Sequence, residues 1–440
     1  MKKKYRIILY TSIFLLCVVA SIILVVKKSN SVYEEESKPK VVKHKSMLSM
    51  NLEQTAGSGD YKTVTQSSWP TEGYKFNAEL SKCENGSTLS WDDTKKAVIM
   101  QGNVSDKCYV YFDIWIPSIA DYCTSGTDLA TCVKNFGDQG PSVSNIYIHN
   151  SSLTNGAGDN SYRYAGANPN NFVCFGSDAS PCPIDNLYRI IGVFGENYHG
   201  ANGKQLVKLI KYDYMTTDEL GTDGDYSQTY KEWGMDSTYK GTYGDGERIG
   251  VYYWNYKATG SATNTWSTSL LNKTNLNTNF INNIGTTWAN KIATVTWKVG
   301  GNTWANIGTK TSSVAYTNEI TNPVTTNTTD NATTYSAKIG LMYVSDYGFA
   351  ASPDAWTLTM SSYNNTTAKN NNWMYMGLYE WTISRSAVDS YRAFILSGDG
   401  LVDDDYGVFG NIGVRASFNL ESSVSYVSGS GSMSDPIVIN

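Results

Sequence analysis

Histidine is nearly missing from this chain. Only His44, His149 and His199 occur in 440 residues. The commonest acid–base and metal-ligand side chain is therefore scarce. Neither His149 nor His199 has a ligand-spaced neighbour, so both read as ordinary surface or loop histidines. Charge is also low, at 17% Asp, Glu, Lys and Arg, against roughly 25% in a typical soluble domain. The net charge of −5 gives no reason to expect a nucleic-acid partner. No Cys-x2-Cys pair exists, which argues against a zinc site. No EF-hand loop and no fixed-period repeat are present.

What fills the space is Tyr (32), Gly (38) and much Asn, Thr and Ser, a composition that suits β-structure with polar loops. With 41% apolar residues, the chain can build a sizeable core. The N-terminus reads MKKKYR, then twenty uncharged residues at 7–26, then Lys27 and Lys28. About twenty apolar residues span a hydrocarbon core, and the leading cations favour a cytoplasmic N-terminus. Cleavage reads less well, because Val18-Val19-Ala20 is a poor site. The lipobox around Cys17 is weak. The expectation is an uncleaved signal anchor that places the rest of the chain outside the cell.

Six cysteines remain outside that segment: Cys83, Cys108, Cys123, Cys132, Cys174 and Cys182. An even set in such a context implies disulfides, although six cysteines allow fifteen connectivities. Their grouping favours sequential neighbours.

The expected organisation is a cytoplasmic tip at 1–6, a transmembrane signal anchor at 7–26 and a flexible stalk at 27–60. A small disulfide-linked β domain follows at 61–117, a connector at 118–161 and a large domain at 162–440. LYRIIGVF and LVKLIKY flank a Gly-rich loop and read as a hairpin, and IATVTWKV alternates like a strand. Residues 266–284 read as two short helices.

The ordered motifs YRYAGANPNNFVCFG, NLYRIIGVF, VKLIKYD, WSTSLLN, AKIGLMYVSDYG, WTISRS and GVRASFNL resemble a family of uncharacterised surface proteins of Gram-positive gut bacteria. The large domain of that family is similar to divergent C-type-lectin-like domains, including those of formylglycine-generating enzymes. The resemblance implies an α+β fold with long loops. It brings no activity, since no Cys follows Cys182 to match the late catalytic cysteines of those enzymes. Asn168-Pro169-Asn170 is the nearest approach to a lectin calcium motif and lacks an acidic partner.

Near the C-terminus, Arg385 shares a strand face with Trp381 and Ile383, Arg392 and Arg415 alternate with apolar residues, and all three read as structural arginines. Asp346, Glu380 or Asp389 would be their acceptors, in strands with one side in the core. Asp403, Asp404 and Asp405 read as a solvated turn, with calcium the cation they would otherwise take. Trp373, Tyr375 and Tyr379, beside an Asn run, are the aromatic candidates for facing a ligand, and the three aspartates are the acidic ones. No catalytic residue, metal ligand or cofactor is expected.

The function expected is therefore that of a membrane-anchored extracellular binding or adhesion protein. Its partners would be the lipid bilayer, through residues 7–26, and a glycan or protein ligand. The alternatives are an extracytoplasmic carbohydrate-active hydrolase using a carboxylate pair and a structural cell-envelope protein.

Overall fold

The computed structural model describes residues 48–65, 68–70, 72–103, 105–195, 198–201, 203–230, 239–243, 248–256, 263–323 and 332–440. The chain divides into two compact units, Met1–Ile116 and Pro117–Asn440.

The first unit contains β1 (Leu48–Glu53), β2 (Tyr61–Val64), β3 (Tyr74–Cys83), β4 (Thr88–Asp92), β5 (Ala97–Gln101) and β6 (Cys108–Ile114). Four strands form a sheet in the order β2-β1-β6-β3, and β4 pairs with β5. Strand β1 lies in the stretch expected to be stalk, and it pairs in parallel with β6. Its alternation of Met50 and Leu52 with Ser49 and Asn51 is a strand pattern. Among the described residues the core is small, with Met50, Leu52, Val110 and Phe112 buried at its centre. Trp69, Phe76 and Trp91 pack around Phe112 with ring centres 5.6–5.9 Å away. Cys83 lies opposite Cys108 in the β3–β6 register, and the two are disulfide-bonded. A core this small gains proportionately from such a staple.

The second unit begins with a helix, Leu129–Gly137, capped by the Asp128 carboxylate on the Thr131 amide. Next come β7 (Ile146–Ile148), β8 (Tyr162–Tyr164), β9 (Phe172–Cys174), β10 (Leu187–Phe194) and β11 (Leu206–Lys211). Residues expected to be a connector thus carry a helix and a strand, and Ile119, Leu129, Val133, Phe136 and Ile146 join the main core. Strands β10 and β11 form the expected antiparallel hairpin. They sit in a seven-stranded sheet with β7, β8, β9 and two later strands, β17 (Ile339–Gly340) and β22 (Ser417–Asn419). A second seven-stranded sheet contains β18 (Glu380–Ser386), β19 (Arg392–Leu396) and β20 (Val402–Gly407), with β20 at its edge.

Every residue of β10, β11 and β18 is buried, so these strands are covered on both faces rather than one. Residues 266–284 hold a ten-residue π-helix, Leu271–Phe280, that runs into Ile281–Asn283, rather than two separate short helices. The IATVTWKV strand is Val295–Lys298.

The expected α+β class, with a transmembrane helix and a C-type-lectin-like head, is corrected by these elements. The protein is mostly β-sheet, 33% strand and 22% helix, with three disulfides. Its apolar runs are short and rich in β-branched and aromatic residues, which fit a pleated surface. The Asn- and Thr-rich stretches between them sustain only short helices. Among the described residues no helix is long and apolar enough to cross a membrane. The longest has ten residues, against about twenty for a span. Residues 7–26, the expected anchor, lie outside the described residues. The expected single-pass membrane location thus finds no spanning helix among the described residues.

Candidate functional site

A cleft of about 670 Å³ opens in the second unit where three chain segments meet. The first segment is 167–172, leading into β9. The second is 372–376, and the third is the loop 432–434. Their juxtaposition follows from backbone pairing. Gly166 and Asn372 form a parallel bridge, and the Trp373 amide donates to the Gly166 carbonyl. The Phe172 amide donates to the Gly431 carbonyl, which holds the third segment against the first. Gly431 adopts φ +82°, and a Cβ there would lie 2.6 Å from the Asn170 carbonyl oxygen, so the approach requires glycine.

Arg189 forms the base of the cleft. It comes from the middle of β10, directly opposite Phe172 in the antiparallel register, and is 4% exposed. Its hydrogen bonds all go to neutral oxygens. Nε donates to Asn171 Oδ1 at 2.7 Å, Nη2 to the Pro169 carbonyl at 2.9 Å and Nη1 to the Trp373 carbonyl at 3.3 Å. The guanidinium carbon lies 4.4 Å from the Phe172 ring centre and 4.6 Å from that of Trp373. Two rings and three carbonyl-type acceptors therefore set its plane. Burial lowers its pKa to about 9, which leaves it charged at neutral pH. Arg415 is a second cation in its field.

Lys240 stands on the rim, with Nζ 4.7 Å from the Tyr375 ring centre. Burial, Lys369 and Arg189 all lower its pKa, in that order. The walls are Phe172, Tyr212, Trp373 and Met376, and the mouth carries Asn168, Asn170, Ser432 and Ser434. Among the described residues the lining holds two cations, amides, hydroxyls and apolar groups, without a carboxylate, thiol or imidazole.

The structure separates the three aromatic residues singled out from sequence. Trp373 does line the cleft, although it is 3% exposed and its indole N–H donates to the Tyr164 carbonyl at 2.9 Å. Tyr375 is buried behind it, its hydroxyl donating to the Gly398 carbonyl at 2.7 Å. Tyr379 packs elsewhere, against Tyr406.

Asp403, Asp404 and Asp405 are not a turn: they lie on the edge strand β20. Asp405 pairs with Arg392 at 2.5 Å, and burial raises the Asp404 pKa. Charges on an edge strand oppose pairing with another sheet. Among the described residues, no group of three or more His, Cys, Asp or Glu is arranged to hold a metal ion. At Asn168-Pro169-Asn170 the middle carbonyl already accepts from Arg189, and a guanidinium there repels a metal cation.

The three arginines bond to groups within the protein. Arg415 Nε donates to Glu380 at 2.8 Å, and both side chains are 1% exposed. Arg385 is buried and donates to the Val299 and Ser386 carbonyls. Arg392, half-buried, pairs with Asp389 and Asp405. The six cysteines pair as neighbours: Cys83–Cys108, Cys123–Cys132 and Cys174–Cys182.

The two histidines are corrected. Neither is a surface residue, and both are fully buried. His149 Nδ1 accepts from the Ala157 amide at 3.0 Å, and its ring meets Phe349 and Trp356. His199 belongs to a buried ionic cluster in which Arg163 pairs with Asp159 at 2.7 Å and Lys208 with Asp346 at 2.6 Å. Burial pushes both imidazoles well below 6.5.

Sequence reasoning missed Arg189, Phe172, Tyr212, Lys240 and Met376. One signal was available: Arg189 is the lone charge inside LYRIIGVF, and a charge in a strand buried on both faces needs a reason. Compared with family models, curated proteins and solved structures, the chain matches none.

Proposed function

We propose that this is a non-catalytic binding protein whose second unit receives a glycan or protein ligand in the cleft above Arg189. The observation that carries the reading is preorganisation. The Arg189 guanidinium and the Trp373 indole are held by hydrogen bonds before any ligand arrives. Fixed groups lose little freedom on binding, so contacts convert to affinity more efficiently. The cleft volume falls within the range usual for ligand sites, and apolar walls under a rim of amides and hydroxyls suit a ligand that mixes both characters.

The hydrolase reading ranks second because the candidate carboxylates are committed inside the protein. Glu380 pairs with Arg415, Asp346 with Lys208 and Asp159 with Arg163. A smaller cleft of about 210 Å³ includes Asp185, Asp218 and Glu219. There Asp185 is held by Arg248, and Glu219 by Lys211 and its helix cap.

Glycan and protein arrays probed with the full chain, disulfides intact, test the proposal. Saturable binding to one ligand class supports it. Silence on both arrays, together with cleavage of a polysaccharide, would replace it with the hydrolase.

A further inference from the structure

We infer that the ligand is an acidic saccharide, its carboxylate or sulfate group seated between Arg189 and Lys240. This rests on the binding reading above and specifies its chemistry.

Among the described residues, both charged groups of the cleft lining are cations, in a chain whose net charge is −5. Arg189 is the more telling of the two. It is 4% exposed, lines the cleft and bonds only to neutral oxygens. The buried cations Arg163, Lys208 and Arg415 each have a carboxylate within 2.8 Å, whereas Arg189, like Arg385, bonds to neutral acceptors, and of those two it is Arg189 that lines the cleft. A guanidinium has five N–H donors in a plane, and three acceptors do not use them all. Phe172 and Trp373 both lie within 4.6 Å of the guanidinium carbon, and the cleft is the open approach to the N–H groups that remain. Planar guanidinium donors suit bidentate carboxylate or sulfate recognition.

Lys240 adds a second positive charge that Arg189 and Lys369 repel. An incoming anion relieves this repulsion, whereas a neutral ligand leaves it in place. Favouring a saccharide over an acidic peptide are the mouth residues Asn168, Asn170, Ser432 and Ser434, whose amides and hydroxyls match clustered sugar hydroxyls.

The experiment is calorimetric titration of the full chain with matched probes. These are a uronic-acid disaccharide, a sulfated disaccharide, the neutral parent disaccharide and an acidic tetrapeptide. Lys240→Glu is the variant, because Lys240 is exposed on the rim whereas an Arg189 substitution would disturb the buried strand. Its melting temperature checks that the fold is intact. At least one acidic sugar is expected to bind about tenfold or more tighter than its neutral parent, with a loss of similar size in Lys240→Glu, since charge-assisted bonds are roughly twice as strong as neutral ones. Whichever acidic sugar responds identifies the anion. Equal affinity for acidic and neutral sugars, unmoved by Lys240→Glu, overturns the inference and leaves the binding reading intact. Binding of the tetrapeptide alone overturns the saccharide assignment. Silence of every probe, with silent arrays, overturns both.

Discussion

Acidification should destabilise the second unit through its buried histidines, and His149 isolates the effect. The imidazole is fully buried and accepts one hydrogen bond from the Ala157 amide, and its Nε2 has no partner among the described residues. Burial is the main cause of its lowered pKa, and Arg163 adds to it. The sign follows from proton counting. Below 6.5 the unfolded chain takes up a proton that the folded state refuses, so stability is present above that value and lost as pH falls. Each histidine then costs up to about 1.4 kcal/mol per pH unit. Summed from high pH down to pH 5.0, this is about 2 kcal/mol per buried histidine while the folded ring stays neutral.

The buried carboxyls of Glu319 and Glu380 work in the opposite direction. Burial raises their pKa values, so their contribution is greatest below the ordinary carboxylate value and falls as pH rises. The whole-protein pH curve therefore mixes both effects, and the difference between two variants separates them. His149→Phe keeps the packing against Phe349 and Trp356 and leaves the Ala157 amide unpaired, a cost of about 1–3 kcal/mol at every pH. Urea melts followed by tryptophan fluorescence should find the variant less stable by that amount at pH 7.5. The gap should shrink by about 2 kcal/mol at pH 5.0. A gap that stays constant, or widens on acidification, would refute the buried-neutral assignment of His149.

Other expectations concern the framework. Arg415→Met should cost about 3–5 kcal/mol by stranding the Glu380 carboxylate. The double variant Arg415→Met with Glu380→Leu should recover most of that loss in the same melts. Replacing both Cys83 and Cys108 by Ser opens a loop with a sequence separation of 25, which corresponds to about 3.5 kcal/mol of chain entropy. The thermal transition of the first unit should fall while that of the second stays in place.

Several of these features could be read from the residues alone because they are local. The β10–β11 hairpin follows from two apolar runs around a Gly-rich loop. The disulfides join cysteines that are neighbours in sequence. Glu380 was one of three carboxylates expected to serve the arginines, and it is Arg415 that it meets.

What escaped was long-range. Trp373 and Arg189 are 184 positions apart, and only the Gly166–Asn372 bridge and the β9–β10 register bring them together. His199 looked like a loop residue because its neighbours in sequence are polar, yet Phe194, Tyr316 and Tyr343 enclose it in space. Strand β1 was hidden by the charged stretch before it, since the partner that orders it, β6, begins sixty residues later.

The central claim is that the cleft above Arg189 is the ligand site. Ala167 is an exposed residue of its lining, so Ala167→Trp fills the opening without touching the core. Titrating wild type and this variant with the strongest array ligand tests the claim most directly. Loss of at least about tenfold in affinity, roughly the 1.4 kcal/mol of one displaced contact set, with an unchanged melting temperature, is the predicted result. Undiminished binding by Ala167→Trp would place the ligand elsewhere on the protein and contradict the account.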